Sequence, residues 1–251
     1  MSGHSKWASI KHKKAAADSK RGKVFTKIIR EIAVAAKVGG GDPDKNPRLR
    51  KAVNDARACN MPADNIKRAI MKGTGQLEGT SYDEVIYEGY GSGGIAIFIV
   101  ALTDNKNRTV SEIRHIFAKN GGQIGTQGCV AFRFKRQGYI VVAKDKASED
   151  KLMDLALNAG ADDITDEGDT WEIITAPDKY EAVLEAVKAA GIEVADSNVG
   201  HIPQDYTKVE GKPAAQVLKL VEELEDHDDV QTVAANFDIA EDELARIAAE
   251  A

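Results

Sequence analysis

The chain changes character at Gly73 to Thr80, a stretch with three glycines and little apolar content that reads as a linker. The composition changes there, from helical stripes alone to alternating strands and helices. Before the break, from Lys23, the residues Val24, Ile28, Ile32 and Ala36 fall on one helical stripe, which Phe25 and Ile29 widen. Lys23, Lys27, Arg30 and Lys37 are predicted to face away from it, and Gly39, Gly40 and Gly41 to stop it. A second helix is expected from about Pro47, with Leu49, Val53 and Ala56 inward and Arg48, Arg50, Lys51 and Arg57 mostly outward. Pro62 opens a third at its first turn, where the missing amide proton does no harm, with Ile66 and Ile70 inward and Lys67 and Arg68 outward. These stripes predict a small three-helix module ending near Lys72.

After the break, strands and helices alternate. Strands are expected at Val85 to Gly89, Ile95 to Leu102, Val130 to Phe134, Tyr139 to Ala143, Asp169 to Thr175, Ile192 to Asn198 and Val230 to Ala234. Helices are expected at Val110 to Lys119, Ser148 to Asn158, Pro177 to Ala190 and Ala214 to Leu224, the first with a capping-box signature in Thr109 and Glu112. The middle stretch reads βαββαβ by itself, and the flanking pieces supply ββαβ and αβ. The expected fold is therefore α+β: the three-helix module, then two ferredoxin-like α/β sandwich domains, one inserted into the other. The predicted boundaries are 1–79 for the arm and helices, 80–135 with 205–251 for a discontinuous middle domain, and 136–204 for the insert.

The overall charge of −6 is the sum of two opposed parts. Residues 1–72 carry 18 Lys and Arg against 6 Asp and Glu, and the remaining 179 residues carry 16 against 34. A segment of net +12 attracts polyanions even when the whole molecule is acidic, although the two parts could also attract one another. Residues 2–21 have scarcely any large apolar side chains, so they cannot bury enough surface to order themselves and are expected to be mobile when free. Lysine and arginine neutralise phosphates and release condensed counterions, and Trp7 can stack on an unpaired base for roughly 1 to 3 kcal/mol. The candidate nucleic-acid-binding residues are thus Lys6, Trp7, Lys11, His12, Lys13, Lys14, Lys20, Arg21, Lys23, Lys27, Arg48, Arg50, Lys51, Arg57, Lys67 and Arg68. Base-edge readout has few candidates, Asn54, Arg57 and Asn65.

Other chemistries find little support. Gly89 to Gly94 matches G-x-G-x-x-G, but a strand is expected after it where a dinucleotide site needs a helix N-terminus, so it reads as a β-turn. The five histidines are scattered without the spacing of two ligands on one helix face. The acidic cluster from Glu222 to Asp229 isolates no carboxylate pair and reads as a solvated face. Cys59 and Cys129 each stand alone, which fits a reducing, cytoplasmic setting. The longest apolar run, Ile95 to Leu102, is far short of the roughly 20 residues of a membrane span. The expectations are no catalysis, no metal, no cofactor and no membrane.

Several motifs run along the chain: Gly3-His4-Ser5-Lys6-Trp7, Ile10 to Lys14, Gly40-Gly41-Asp42-Pro43, Asn60 to Ile66, Tyr87 to Gly91, Thr103 to Thr109, and Leu224-Glu225-Asp226 leading to Asp228-Asp229-Val230-Gln231 and Asn236-Phe237. With them the sequence resembles the YebC family of probable transcriptional regulators, whose mitochondrial relatives are translational activators of a cytochrome oxidase subunit. The resemblance implies an N-terminal helical domain and two α/β domains, the last inserted in the middle one, with no cofactor. It leaves open whether the protein acts on transcription or at the ribosome. A mobile lysine-rich arm with Trp7 suits irregular RNA better than a spaced duplex site, so RNA, with the ribosome as a candidate partner, is favoured over DNA. A duplex-DNA regulator and a small-molecule sensor using the Gly89 to Gly94 turn remain the alternatives.

Overall fold

The structure, a computed structural model, describes residues 18–250. Three helices come first: α1 (Asp18–Gly39), α2 (Pro47–Ala58) and α3 (Ala63–Gly73). They close on a core of Ile32, Ala35, Ala36, Leu49, Val53, Ala56, Met61, Ile66 and Ala69, with Phe25, Ile28 and Ile29 at its margin. Small residues let α1 and α3 approach closely, and a Cβ on Gly73 would stand 2.2 Å from the Ala33 carbonyl oxygen. Asn46 ties the α1–α2 turn together. Its side-chain oxygen accepts from the Leu49 amide at 3.1 Å to cap α2, while its Nδ2 donates to the carbonyls of Ala35 at 2.8 Å and Gly40 at 2.9 Å.

Beyond the break the order is β1 (Asp83–Tyr90), β2 (Ala96–Thr103), α4 (Lys106–Lys119), β3 (Gln123–Ile124), β4 (Phe134–Ala143), α5 (Glu149–Ala159), β5 (Ala161–Asp166), β6 (Thr170–Thr175) and α6 (Tyr180–Ala189). Then come β7 (Asp196–Pro203), β8 (Thr207–Lys208), α7 (Gly211–Asp226), β9 (Val230–Ala235), β10 (Phe237–Asp238) and α8 (Glu241–Glu250). Two four-stranded antiparallel sheets result, ordered β3-β1-β2-β9 and β5-β6-β4-β7, and β8 pairs with β10 in parallel. The fold is α+β, with the second sheet set into the first.

The two sheets follow one spatial plan with different chain orders. In the second, β4-α5-β5-β6-α6-β7 is a ferredoxin-like split βαβ arrangement. In the first, β2, α4 and β3 stand where β4, α5 and β5 do, and α7 and β9 where α6 and β7 do. The strand equivalent to β6 is β1, which comes first instead of between the helices. The connection from β3 to α7 therefore has no strand of its own sheet to supply, and the whole second sheet lies within it.

Strand β2 is buried on both faces, which is why Ile95 to Leu102 reads as one apolar run. One face puts Ile97, Ile99 and Ala101 against Ile113 and Phe117 of α4 and Val217, Leu220 and Val221 of α7. On the other, Phe98 lies 5.7 Å from the Phe134 ring and 4.3 Å from the His201 ring, joining the two sheets. The second core gathers Ile140, Val142, Trp171 and Ile173 under Leu152, Ala156, Val183 and Val187.

The structure departs from the sequence reading at several places. Val130 to Phe134 is not a strand: residues 131–133 form a 3-10 turn, and β4 runs unbroken from Phe134 to Ala143. The reason is Glu88, whose buried carboxylate accepts from the amides of Gly128 at 2.6 Å, Val130 at 2.7 Å and Ala131 at 2.8 Å, donors that a ladder would otherwise have used. The edge strand is instead the two-residue β3. Helix α4 begins at Lys106, capped by Asn105, whose side chain accepts from the Arg108 amide at 3.1 Å, so Thr109 lies inside the helix and caps nothing. Val24 is 40% exposed, while Ala33 and Val34 are buried because α1 also touches β2 and β9. Strand β5 and helix α8 were not foreseen.

The Gly89 to Gly94 stretch joins β1 to β2, as the turn reading expects, and packs on α7. Gly93 and Gly94 adopt φ of +74° and +76°. Gly89 has no positive φ; it is needed for space, since a Cβ there would lie 2.5 Å from the Gln123 carbonyl oxygen and 2.8 Å from the Phe117 ring. Gly89→Ala is expected to cost about 1–3 kcal/mol through overpacking, and Gly94→Ala, with open space around it, about 1 kcal/mol through backbone strain alone. Urea unfolding midpoints of the two variants check the order.

Candidate nucleic-acid interface

The inward stripes of α2 and α3 leave Arg57, Lys67, Arg68 and Lys72 exposed. None of the four makes an ion pair or side-chain hydrogen bond among the described residues. Arg68 and Lys72 stand one turn apart on α3, where like charges repel. The α2–α3 end of the module is thus a surface with four cations that make no ion pair among the described residues.

On α1, Lys23, Lys27 and Arg30 face the acidic body and not solvent, a correction to the outward direction expected for them. Lys23 Nζ donates to the Asp226 carbonyl at 3.2 Å and Lys27 Nζ to that of Glu225 at 2.5 Å, both at the C-terminus of α7, where unpaired carbonyls and the helix dipole attract positive charge. Arg30 donates to the Asp228 carbonyl and to Asp229 Oδ1, the latter at 2.7 Å. Burial lowers the pKa of Lys27, and the nearby Glu225, Asp226 and Asp228 only partly oppose it. Arg48 grips Glu31 through two bonds of 2.6 and 3.0 Å and reaches Glu84 at 2.6 Å, an arrangement that raises its pKa chiefly through the Glu31 hydrogen bond. Arg50 pairs with Glu181 of α6 at 3.0 Å, and Lys51 with Asp55 at 2.8 Å. Lys20 and Arg21 fall on the first turn of α1. Lys6, Trp7, Lys11, His12, Lys13 and Lys14 lie outside the described residues.

Where α1 meets the body, one carboxylate gathers four donors. Asp229, with its side chain 3% exposed, accepts from Arg30 at 2.7 Å, Arg108 at 2.8 Å, Thr109 at 2.6 Å and Thr103 at 3.2 Å. Burial alone would push its carboxyl up; the Thr109 hydroxyl, Arg108 and Arg30 outweigh burial and hold it below the usual carboxylate range. The Asp229 amide donates to His227 Nδ1 at 3.1 Å, so the neutral ring carries its proton on Nε2, which faces Glu112 Oε2 at 2.9 Å. Glu112, His227 and Asp229 are close enough to suggest a metal trio, but both Asp229 oxygens are already engaged by guanidinium and hydroxyl donors, which disfavours a cation there. An open cleft of about 770 Å³ lies beside this junction, with Lys23, Arg108 and His115 among its walls. Composition and periodicity did not find the junction. Its sequence signal was the pair of motifs at 103–109 and 224–231, which the fold brings together.

Among the described residues no helix is long and apolar enough to cross a membrane. The profile of the TACO1/YebC protein N-terminal domain matches residues 5–76, and that of the TACO1/YebC second and third domain matches residues 82–237. A protein of Desulfatibacillum aliphaticivorans named a probable transcriptional regulatory protein is 57% identical over 244 residues, spanning 97% of this chain and 99% of its own. One of the same description from Koribacter versatilis is 58% identical over 248 residues, spanning 99% and 100%. The crystal structure of a conserved hypothetical protein from Aquifex aeolicus superposes with a TM-score of 0.79 at 44% identity, over 90% of this chain and 93% of that one. With both profiles together spanning most of its length, the chain belongs to the TACO1/YebC family.

Proposed function

We propose that this protein is a non-enzymatic regulator of gene expression that binds nucleic acid through residues 1–79, with RNA, on the ribosome or a message, as the preferred ligand. The observation that carries the reading is the division of labour among the cations: Lys23, Lys27, Arg30 and Arg50 are held by the body and Arg48 by Glu31 of α1 and Glu84 of β1, while Arg57, Lys67, Arg68 and Lys72 stand exposed with no ion pair among the described residues. Cations left exposed beside one another favour a polyanion, whose binding releases condensed counterions. The names of the relatives point to gene regulation. The preference for RNA rests on the lysine-rich arm with Trp7 and on a module in which α2 and α3 offer no base-reading row of side chains.

Changing Arg57, Lys67 and Arg68 together to alanine should make the slope of log affinity against log salt shallower by about 2 for single-stranded RNA, at about 0.7 per phosphate contact. Changing Arg48, held by Glu31 and Glu84, should leave that slope nearly unchanged. Titrations of single-stranded RNA, structured RNA and duplex DNA at several salt concentrations test both. A flat salt dependence for all three ligands would remove nucleic acid as the partner, and a clear preference for duplex DNA would replace the RNA reading with a transcriptional one.

A further inference from the structure

We propose that Phe132, with Lys135 and Arg136, forms a second nucleic-acid contact on the body of the protein, one that takes an unpaired base on the Phe132 ring and phosphates on the two cations. This inference rests on the nucleic-acid reading above. Phe132 is 75% exposed, and the backbone that carries it is tied down. The turn that carries it is bound on one side by the three amides given to the buried Glu88 carboxylate and by the Tyr90 hydroxyl, which donates to the Cys129 carbonyl at 2.8 Å. It is anchored in sequence by Val130 at 0% and Phe134 at 8% exposure, and Arg133 is held by Asp205 at 3.0 Å. A buried carboxylate is costly unless fully satisfied, and here its three bonds hold rigid the loop that ends in an outward aromatic ring. A turn whose backbone is already held needs no further ordering of the chain when a ligand stacks on the ring it presents.

The charge around the ring selects the ligand. Residues 73–251 hold 34 acidic and 16 basic groups, yet the five residues Phe132 to Arg136 contain three cations and no acid. Lys135 and Arg136 are exposed and make no ion pair or side-chain hydrogen bond among the described residues. An exposed aromatic followed within four residues by two exposed cations, which as neighbours on β4 project to its two faces, suits a base flanked by phosphates, since every base offers a π-face and only a strand with unpaired bases offers it freely. A duplex keeps those faces stacked on one another. The contact lies where the chain enters the second sheet, and one strand reaching both it and the helical module would engage the protein at two places.

The test uses the intact chain with fluorescein-labelled single-stranded oligouridylate and with the same oligomer annealed into a duplex. Phe132→Ala should weaken single-strand binding about tenfold without changing the salt slope, because stacking releases few ions. Phe132→Trp should restore it. Changing Lys135 and Arg136 together to alanine should make the slope shallower by about 1.4. Thermal melting should be unchanged in Phe132→Ala, since the ring is exposed. Single-strand affinity equal to that of the unmodified chain, or an equal loss on the duplex, would overturn the proposal and point the exposed ring toward a protein surface instead. If the unmodified chain binds neither probe, the nucleic-acid reading itself fails; if the Arg57, Lys67 and Arg68 variant loses binding while Phe132→Ala does not, this inference alone falls.

Discussion

Asp229→Ala is expected to lower the stability of the folded chain by about 3–5 kcal/mol, the cost of removing one partner from a buried, hydrogen-bonded charge pair. Asp229 and Arg30 have side chains 3% and 13% exposed, and the substitution leaves the guanidinium without its counter-charge, with the Asp228 carbonyl as its remaining acceptor, and takes one acceptor from the hydroxyls of Thr103 and Thr109. At about 2–4 °C per kcal/mol for a chain of this size, the melting temperature should drop by roughly 6–20 °C. The loss should centre on the docking of α1 against the body, so hydrogen exchange should rise in α1 and in the 226–229 loop before it rises in the second sheet. In an Arg30→Ala background the same substitution should cost clearly less, because the stranded charge is gone. Additive costs in that cycle would show that the pair is not coupled.

Acid supplies an independent check of the same junction. The Asp229 carboxyl is held below its unfolded value, so in the interval between the two values the unfolded chain binds more protons and stability rises with pH. Its contribution is fully present above the unfolded value of about 4 and is lost as pH falls through the folded value. Asp229→Asn should remove that part of the acid dependence while leaving the rest of the profile, which belongs to other carboxylates.

What the sequence revealed of this junction, and what it hid, follows from the range of the interactions. The stripe of Ile28, Ile32 and Ala36 is local, and α1 lies where that stripe predicts. The direction of Lys23, Lys27 and Arg30 depends on partners about 200 residues away, which no local period encodes. Asn105 and Thr109 are both good caps by type. Asp229, 120 residues distant, takes the Thr109 hydroxyl, and Asn105 caps α4. The same holds for Val130 and Ala131, which open a run that reads as a strand and whose amides are claimed by Glu88 more than 40 residues earlier. Strand β5 escaped notice because Asp162, Asp163 and Asp166 obscure any alternation, and β3, two residues long, has no period to read. The interrupted plan is legible because each part of the first sheet's unit keeps its own apolar signal, the run Ile95 to Leu102 and the helical stripe of Val217, Leu220, Val221 and Leu224.

Removing residues 1–17 should weaken binding to single-stranded RNA by about several hundred-fold at 0.1 M salt, while the melting temperature of the remainder stays nearly unchanged. The stretch holds Lys6, Lys11, Lys13 and Lys14 and no acidic residue, whereas α1 spends much of its charge on the carbonyls and carboxylates at 225–229. Four phosphate contacts at about 0.7 each give a slope change of about 2.8, which over one decade of salt is the stated factor. Trp7→Ala in the full chain should cost about tenfold with the slope intact, so the stacking and ionic parts separate in one set of titrations. Among the described residues the helical core is assembled from Phe25 onward, which is why the melting temperature is expected to hold. The measurement compares the full and shortened chains at salt concentrations spanning that decade, with melting curves recorded on the same samples. A shortened chain that binds with the affinity and slope of the intact one would transfer the interface to the exposed cations of α2 and α3, where the Arg57, Lys67 and Arg68 variant would then carry the whole salt dependence.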